Sequence, residues 1–247
     1  MTFFAILLVG LSGVLINIII DCYYGLASIG IFNLSFSIYI IIIAIGTFGL
    51  NRGMVYFLSK EKLTKKQISD IILNGIVFVT ICSIILVFIC ISFIELLYST
   101  HILSHNNKIF FFIAIISVPL YCINNICIFA YNGLRRMNFY SIIRIIRWIS
   151  FLLLVLLFSR LYSFQYIYVC LLVSESLILF FNYLIMRKII VFQIPNYNFK
   201  QFLNYGKLVY PSQLLVSILE NIDIILFSLL IGNMNLGVYS FSSKIVK

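Results

Sequence analysis

Hydrophobic and polar positions along the chain follow one rhythm, in which apolar runs of roughly 20 residues are parted by short polar stretches. Seven such runs can be marked, at 3–20, 29–50, 69–94, 109–130, 142–158, 166–186 and 208–231. In helical form a run of that length covers about 30 Å, the thickness of bilayer hydrocarbon. The short two-residue alternation of barrel strands is missing. The pattern predicts an all-α polytopic membrane protein.

The pattern also repeats. Gly25, Ile29, Gly30, Ile31, Phe32, Leu34, Ser35 and Ile38 return 207 positions later as Gly232, Leu236, Gly237, Val238, Tyr239, Phe241, Ser242 and Ile245. Each copy follows a long apolar run and reads G-x3-[IL]-G-[IV]-[FY]-x-[LF]-S-x-x-I. Six spans separate the copies, an even number, so both enter the membrane in the same direction. That describes a parallel repeat, two six-span bundles related by an axis along the membrane normal, with a transporter's substrate site between them. The expected division is a six-helix N-terminal transporter lobe at 1–195 and the start of a second, repeated lobe at 196–247. The second part holds the seventh span and the beginning of the eighth, and the repeat is expected to be truncated at Lys247.

Composition agrees with the spans: 63% of residues are hydrophobic, 10% are charged and the mean hydropathy is +1.15. The first run is expected to stay in the mature chain, because no Lys or Arg precedes it and no A-x-A site follows it. The six cysteines, at 22, 82, 90, 122, 127 and 170, fit neither a zinc site nor a disulfide framework and read as small apolar side chains.

Charge then sets the orientation. Arg52, Lys60, Lys62, Lys65 and Lys66 follow the second span; Arg135, Arg136, Arg144 and Arg147 fall between 131 and 147; Arg187, Lys188, Lys200 and Lys207 precede the seventh span. These thirteen of the 17 basic residues alternate with loops almost free of them, which places the N-terminus and the basic loops in the cytoplasm of a multi-pass inner-membrane protein. This bias, with anionic lipid beside it, accounts for the net charge of +10 without nucleic acid.

Polar residues inside spans are the candidates for function. In the seventh span Tyr210, Gln213, Ser217, Glu220, Asn221, Asp223 and Ser228 share an arc of about 160° on a helical wheel. Glu220 and Asp223 lie near mid-span, so that face must meet protein or water. Gly10, Gly13, Asn17 and Asp21 form a matching face on the first span, and a cleft between the two lead helices is the expectation. Arg144 and Arg147, one turn apart, could form a cationic mouth for phosphate or snorkel to the interface. Glu175 is a partner within reach of Arg147, and Arg52 could serve the same mouth. Asn124 and Asn125 read as interhelical hydrogen-bonders. His101 and His105 lack a third ligand for a metal. Motifs of nucleotide, serine-hydrolase or zinc chemistry are not found, so the chain reads as no enzyme, with no cofactor.

Three stretches carry a resemblance to a family: YGLASIGIFNLSFSI at 24–38, GTFGLNRGMVYFLSK at 46–60 and YGKLVYPSQLLVSILENIDIILFSLLIGNMNLGVYSFSSKI at 205–245. They resemble the polysaccharide-biosynthesis flippases, the O-antigen exporters of the multidrug, oligosaccharidyl-lipid and polysaccharide superfamily. The resemblance implies two six-helix lobes, alternating access and transfer of an undecaprenyl-pyrophosphate-linked oligosaccharide to the outer leaflet. It also implies work beside a polysaccharide polymerase and glycosyltransferases. The usual basic residues before the first span are missing here. Candidate cavity residues are Arg52, Arg144, Arg147, Glu175, Glu220, Asp223, Gln213, Asn221, Asn17 and Asp21. A cation-coupled drug exporter of the same superfamily is the nearest alternative; a membrane-embedded glycan polymerase or acyltransferase would need a larger external loop.

Overall fold

The computed structural model describes residues 2–60, 63–99, 108–191, 199–230 and 232–246. Their helices are α1 (Thr2–Tyr24), α2 (Leu26–Thr47), α3 (Leu50–Leu58), α4 (Lys65–Ser99), α5 (Lys108–Ile116), α6 (Val118–Gly133), α7 (Met137–Ser159), α8 (Tyr166–Met186), α9 (Phe199–Leu230) and α10 (Asn233–Val246). Seven helical stretches are long and apolar enough to cross a membrane, and they match the seven runs: Phe3–Tyr24, Leu26–Thr47, Lys65–Ser92, Phe112–Gly133, Met137–Ser159, Tyr166–Met186 and Lys200–Ser228. With no strand among the described residues, the protein is an all-α polytopic membrane protein. The stretch carrying His101 and His105 lies outside the described residues.

Two spans are interrupted where the sequence gives a continuous run. The second ends at Thr47, because Phe48 and Gly49 take left-handed backbone angles (φ 49° and 71°) before α3 begins. The cause is a close helix crossing. A Cβ on Gly49 would stand 2.6 Å from the carbonyl oxygen of Gly206 in α9, so only glycine fits there. The fourth span bends at Ser117, just ahead of Pro119, which has no N–H to offer the preceding turn. Ser117 Oγ contributes bonds to the Ala114 carbonyl (2.7 Å) and the Tyr39 hydroxyl (3.2 Å) at that bend.

Helix ends are closed by local chemistry. Thr64 and Gln67 form a reciprocal capping box at the start of α4, with the Gln67 N–H donating to Thr64 Oγ1 and the Thr64 N–H to Gln67 Oε1. After α6 the chain turns through Arg135 at φ 58°, and the Arg136 N–H donates back to the Tyr131 carbonyl at 2.9 Å. This tight turn sets α6 and α7 antiparallel.

The helix α1 packs along α7, and Tyr24 ties its far end down by donating to the Tyr162 carbonyl at 2.8 Å. The helix α2 is central, in contact with α1, α4, α6, α9 and α10. Against it α9 runs as a seam: Gln213 Nε2 donates to Thr47 Oγ1 (3.3 Å), Tyr210 stacks on Phe48 (4.8 Å between centroids) and Tyr205 stacks on Tyr56 of α3 (4.6 Å). The core beneath is built from Tyr39, Met54, Ile126, Tyr131 and Ile178, all fully enclosed.

Candidate functional site

Past the Thr47–Gln213 bond α9 parts from α2, and a cleft of about 530 Å³ opens between α2, α9 and α10. Asn33, Phe36, Ser37 and Ile40 of α2 form one wall, and Glu220, Asn221 and Ile224 of α9 with Ser243 of α10 form the others. The α2 residues fall on one helical face, since their spacing of three and four returns each to the same side. Glu220 lies about 20 Å along α9 from Lys207, near the middle of the apolar run 208–231. A carboxylate there is tolerated because the cleft gives it polar surroundings in place of lipid.

One end of the cleft is sealed where α2 meets α10, at positions that the sequence repeat aligns. Asn33 Nδ2 donates to Ser240 Oγ at 2.9 Å, across the same 207-residue offset, and also to Asn17 Oδ1 at 3.0 Å. Gly237 lies against the Leu26 carbonyl and the Gly30 N–H, with no room for a side chain. Small residues bring the helices close, and a buried amide then bonds across them. The seal lies toward the start of α2, away from the basic loops.

The sequence-predicted residues divide among several places. Glu220 and Asn221 line the cleft, with Asn221 Nδ2 donating to the Ser217 carbonyl at 2.9 Å. Asp223 turns aside: its Oδ2 accepts from the Tyr239 hydroxyl at 3.2 Å and its Oδ1 from the Ile224 N–H at 2.9 Å. Leu219, Ile222 and Leu226 are exposed on the opposite side of α9. Gln213 belongs to the seam, and its buried Oε1 has no partner there. Arg52 is exposed on α3.

The expected apposition of the first and seventh spans is corrected. The cleft wall opposite α9 is α2, and Asn17 reaches the region only through Asn33. Asp21 is exposed near the end of α1, apart from the cleft lining. A helical wheel shows which face of a helix is polar and not which neighbour meets it. Asn33, Ser37 and Ser243 were missed as cleft residues, although Asn33 and Ser37, four apart in an apolar run, were a readable signal.

Arg144 and Arg147 also part company. Arg144 Nη1 donates to the Tyr140 hydroxyl at 2.9 Å and its guanidinium lies over that ring. Arg147 is buried, with Nη2 3.1 Å from Glu175 Oε2 in an ion pair. Asn124 Nδ2 donates to the same Glu175 oxygen at 2.8 Å, Asn182 Nδ2 to Asn124 Oδ1 at 2.9 Å, and the Tyr131 hydroxyl to Asn182 Oδ1 at 3.3 Å. Every donor in this chain points toward the carboxylate. Asn124 is thus the interhelical hydrogen-bonder that its mid-span position suggests.

A family model described as "Polysaccharide biosynthesis protein" matches residues 1–247. The chain belongs to this family. No curated protein and no solved structure was found to match it. Membership in the polysaccharide biosynthesis family, together with seven membrane helices, supports a membrane transporter at the coarse level, and members of the family are typically transporters rather than enzymes.

Proposed function

We propose that the protein is a flippase that moves an oligosaccharide linked to undecaprenyl pyrophosphate from the cytoplasmic to the outer leaflet, by alternating access between two lobes. The observation that carries this reading is the cleft: lined by polar and apolar side chains together, set among apolar spans, and flanked by helices that repeat one another. Glu220, Asn221, Asn33, Ser37 and Ser243 offer the donors and acceptors that sugar hydroxyls need, while Phe36, Ile40 and Ile224 supply apolar surface. The division into lobes at 195/196 belongs to the same reading, with α10 as the partner of α2 in the second lobe. Cells depleted of the protein should accumulate the lipid-linked saccharide on the cytoplasmic leaflet, measured with a membrane-impermeant glycosidase on inside-out against right-side-out vesicles. Equal accessibility in both vesicle types, before and after depletion, would sink the proposal.

A cation-coupled drug exporter is the second reading, favoured by the Glu220 carboxylate and by a cleft lining that contains no Lys or Arg among the described residues. Inhibition of saccharide transfer by lipophilic cations would support a shared site.

In this reading the protein lies in the cytoplasmic membrane beside a polysaccharide polymerase and glycosyltransferases, with its N-terminus and basic loops in the cytoplasm. A cysteine replacing Lys66, exposed at the start of α4, should resist an impermeant thiol reagent in intact cells of a cysteine-free background and react after permeabilisation. Labelling from outside would invert the topology.

A further inference from the structure

Among the described residues, Arg135 is one of two that are not glycine and yet have a positive φ, at 58°. It ends α6 in the left-handed position of a Schellman turn: its own N–H donates to the Asn132 carbonyl and the Arg136 N–H to the Tyr131 carbonyl, both at 2.9 Å. Glycine takes that position without steric cost, and a residue with a Cβ does not. The glycine of this stretch is committed elsewhere. A Cβ on Gly133 would stand 2.8 Å from the Leu58 Cβ and 2.9 Å from the Met54 carbonyl oxygen, so Gly133 serves the contact with α3 and the left-handed angle falls on Arg135. A strained angle held by a long charged side chain points to a use for that side chain.

Arg135 and Arg136 are both exposed, and neither guanidinium has a hydrogen-bond or ion-pair partner among the described residues. No acidic residue lies between Glu95 and Glu175 in the sequence, so local charge does not neutralise them. The fifth span starts at the next residue. Its 23 residues, Met137–Ser159, make about 34 Å of helix against about 30 Å of hydrocarbon, which sets the two guanidiniums at the height of lipid phosphates. Met137 and Phe139, exposed apolar side chains in the first turn of α7, lie on the hydrocarbon side of them. We infer that the α6–α7 turn is a binding site for an anionic phospholipid, in which Arg135 and Arg136 hold the headgroup phosphate and Met137 and Phe139 meet the upper acyl chains. A guanidinium offers paired, fixed donors that match phosphate oxygens. Diffuse basic charge would attract the same lipid with no residue held in a strained angle. Bound lipid fixes the depth of the α6–α7 hairpin in its leaflet. The site does not depend on the cargo; that its leaflet is the cytoplasmic one rests on the proposed topology.

Purified protein in neutral-detergent micelles at about 0.15 M salt, where diffuse attraction is screened, would be titrated with dioctanoyl phosphatidylglycerol, dioctanoyl phosphatidylcholine or inorganic phosphate while the thermal unfolding midpoint is followed. The inference expects a saturable rise with phosphatidylglycerol and none with the other two. Arg135→Gly should start about 2 °C above the wild type, its strain being gone, yet bind phosphatidylglycerol at least about tenfold more weakly. Replacing Arg187 and Lys188, an exposed basic pair after α8, by glutamine should leave the binding unchanged. A lower starting midpoint with undiminished binding in Arg135→Gly would make Arg135 a structural residue and overturn the site. An equal loss of binding in the Arg187 and Lys188 variant would overturn it as well, by reducing the effect to diffuse charge, and so would an equal rise with phosphatidylcholine or phosphate. Because the assay involves no transfer, each of these failures leaves the flippase reading standing.

Discussion

Replacing Glu175 by leucine should lower the stability of the protein by about 3–5 kcal/mol, because it leaves a buried guanidinium with no counter-charge. The loss is read as a drop in the thermal unfolding midpoint in detergent or nanodiscs. Arg147 and Glu175 are each under a tenth exposed, so the substitution strands the guanidinium, and it also removes one of the two Glu175 acceptors of the Asn124 amide. Pairing Arg147→Met with Glu175→Leu should recover most of the loss, since removing both charges also removes the cost of burying them. A single Glu175→Leu variant as stable as the wild type would show that the pair does not hold α7 to α8.

A disulfide across the seal should stop transport altogether. The side chains of Asn33 and Ser240 touch at 2.9 Å, so Asn33→Cys with Ser240→Cys places two thiols within bonding reach. In the proposed alternating access α2 and α10 separate at this point, and a covalent bond there forbids it. Oxidation should abolish transfer, reduction should restore it, and each single variant should respond to neither. Full activity in the crosslinked protein would mean that this contact is a static joint.

Most of the fold was legible because a membrane imposes one strong rule, about 20 apolar residues per span. The repeat was legible in small residues for a related reason: Gly237, the counterpart of Gly30, lies on a face where helices approach too closely for a side chain. The Arg147–Glu175 pair could be read from depth alone, as two opposite charges at similar heights in neighbouring spans. The break at Phe48 and Gly49 could not, since its cause is the backbone of Gly206, far away in sequence. The seventh span shows the same limit. Its polar arc is shared among neighbours: Gln213 meets Thr47, Asp223 sits close enough to α10 to be claimed by Tyr239, and Glu220 is left to the cleft. The two arginines, one turn apart, suggested joint action, and the differing surroundings of Tyr140 and Glu175 divide them.

The central claim, that the cleft carries a lipid-linked saccharide across the bilayer, is tested most directly by reconstitution. Purified protein would be placed in liposomes holding undecaprenyl-pyrophosphate oligosaccharide with a fluorescent label on the sugar, and the outer-leaflet fraction read by quenching with an impermeant reductant. The account predicts a protein-dependent rise in the quenchable fraction over time, with little rise for a Glu220→Leu and Asn221→Leu variant that inserts normally. A quenchable fraction that stays at the level of protein-free liposomes, with the wild-type protein folded and present, would contradict it.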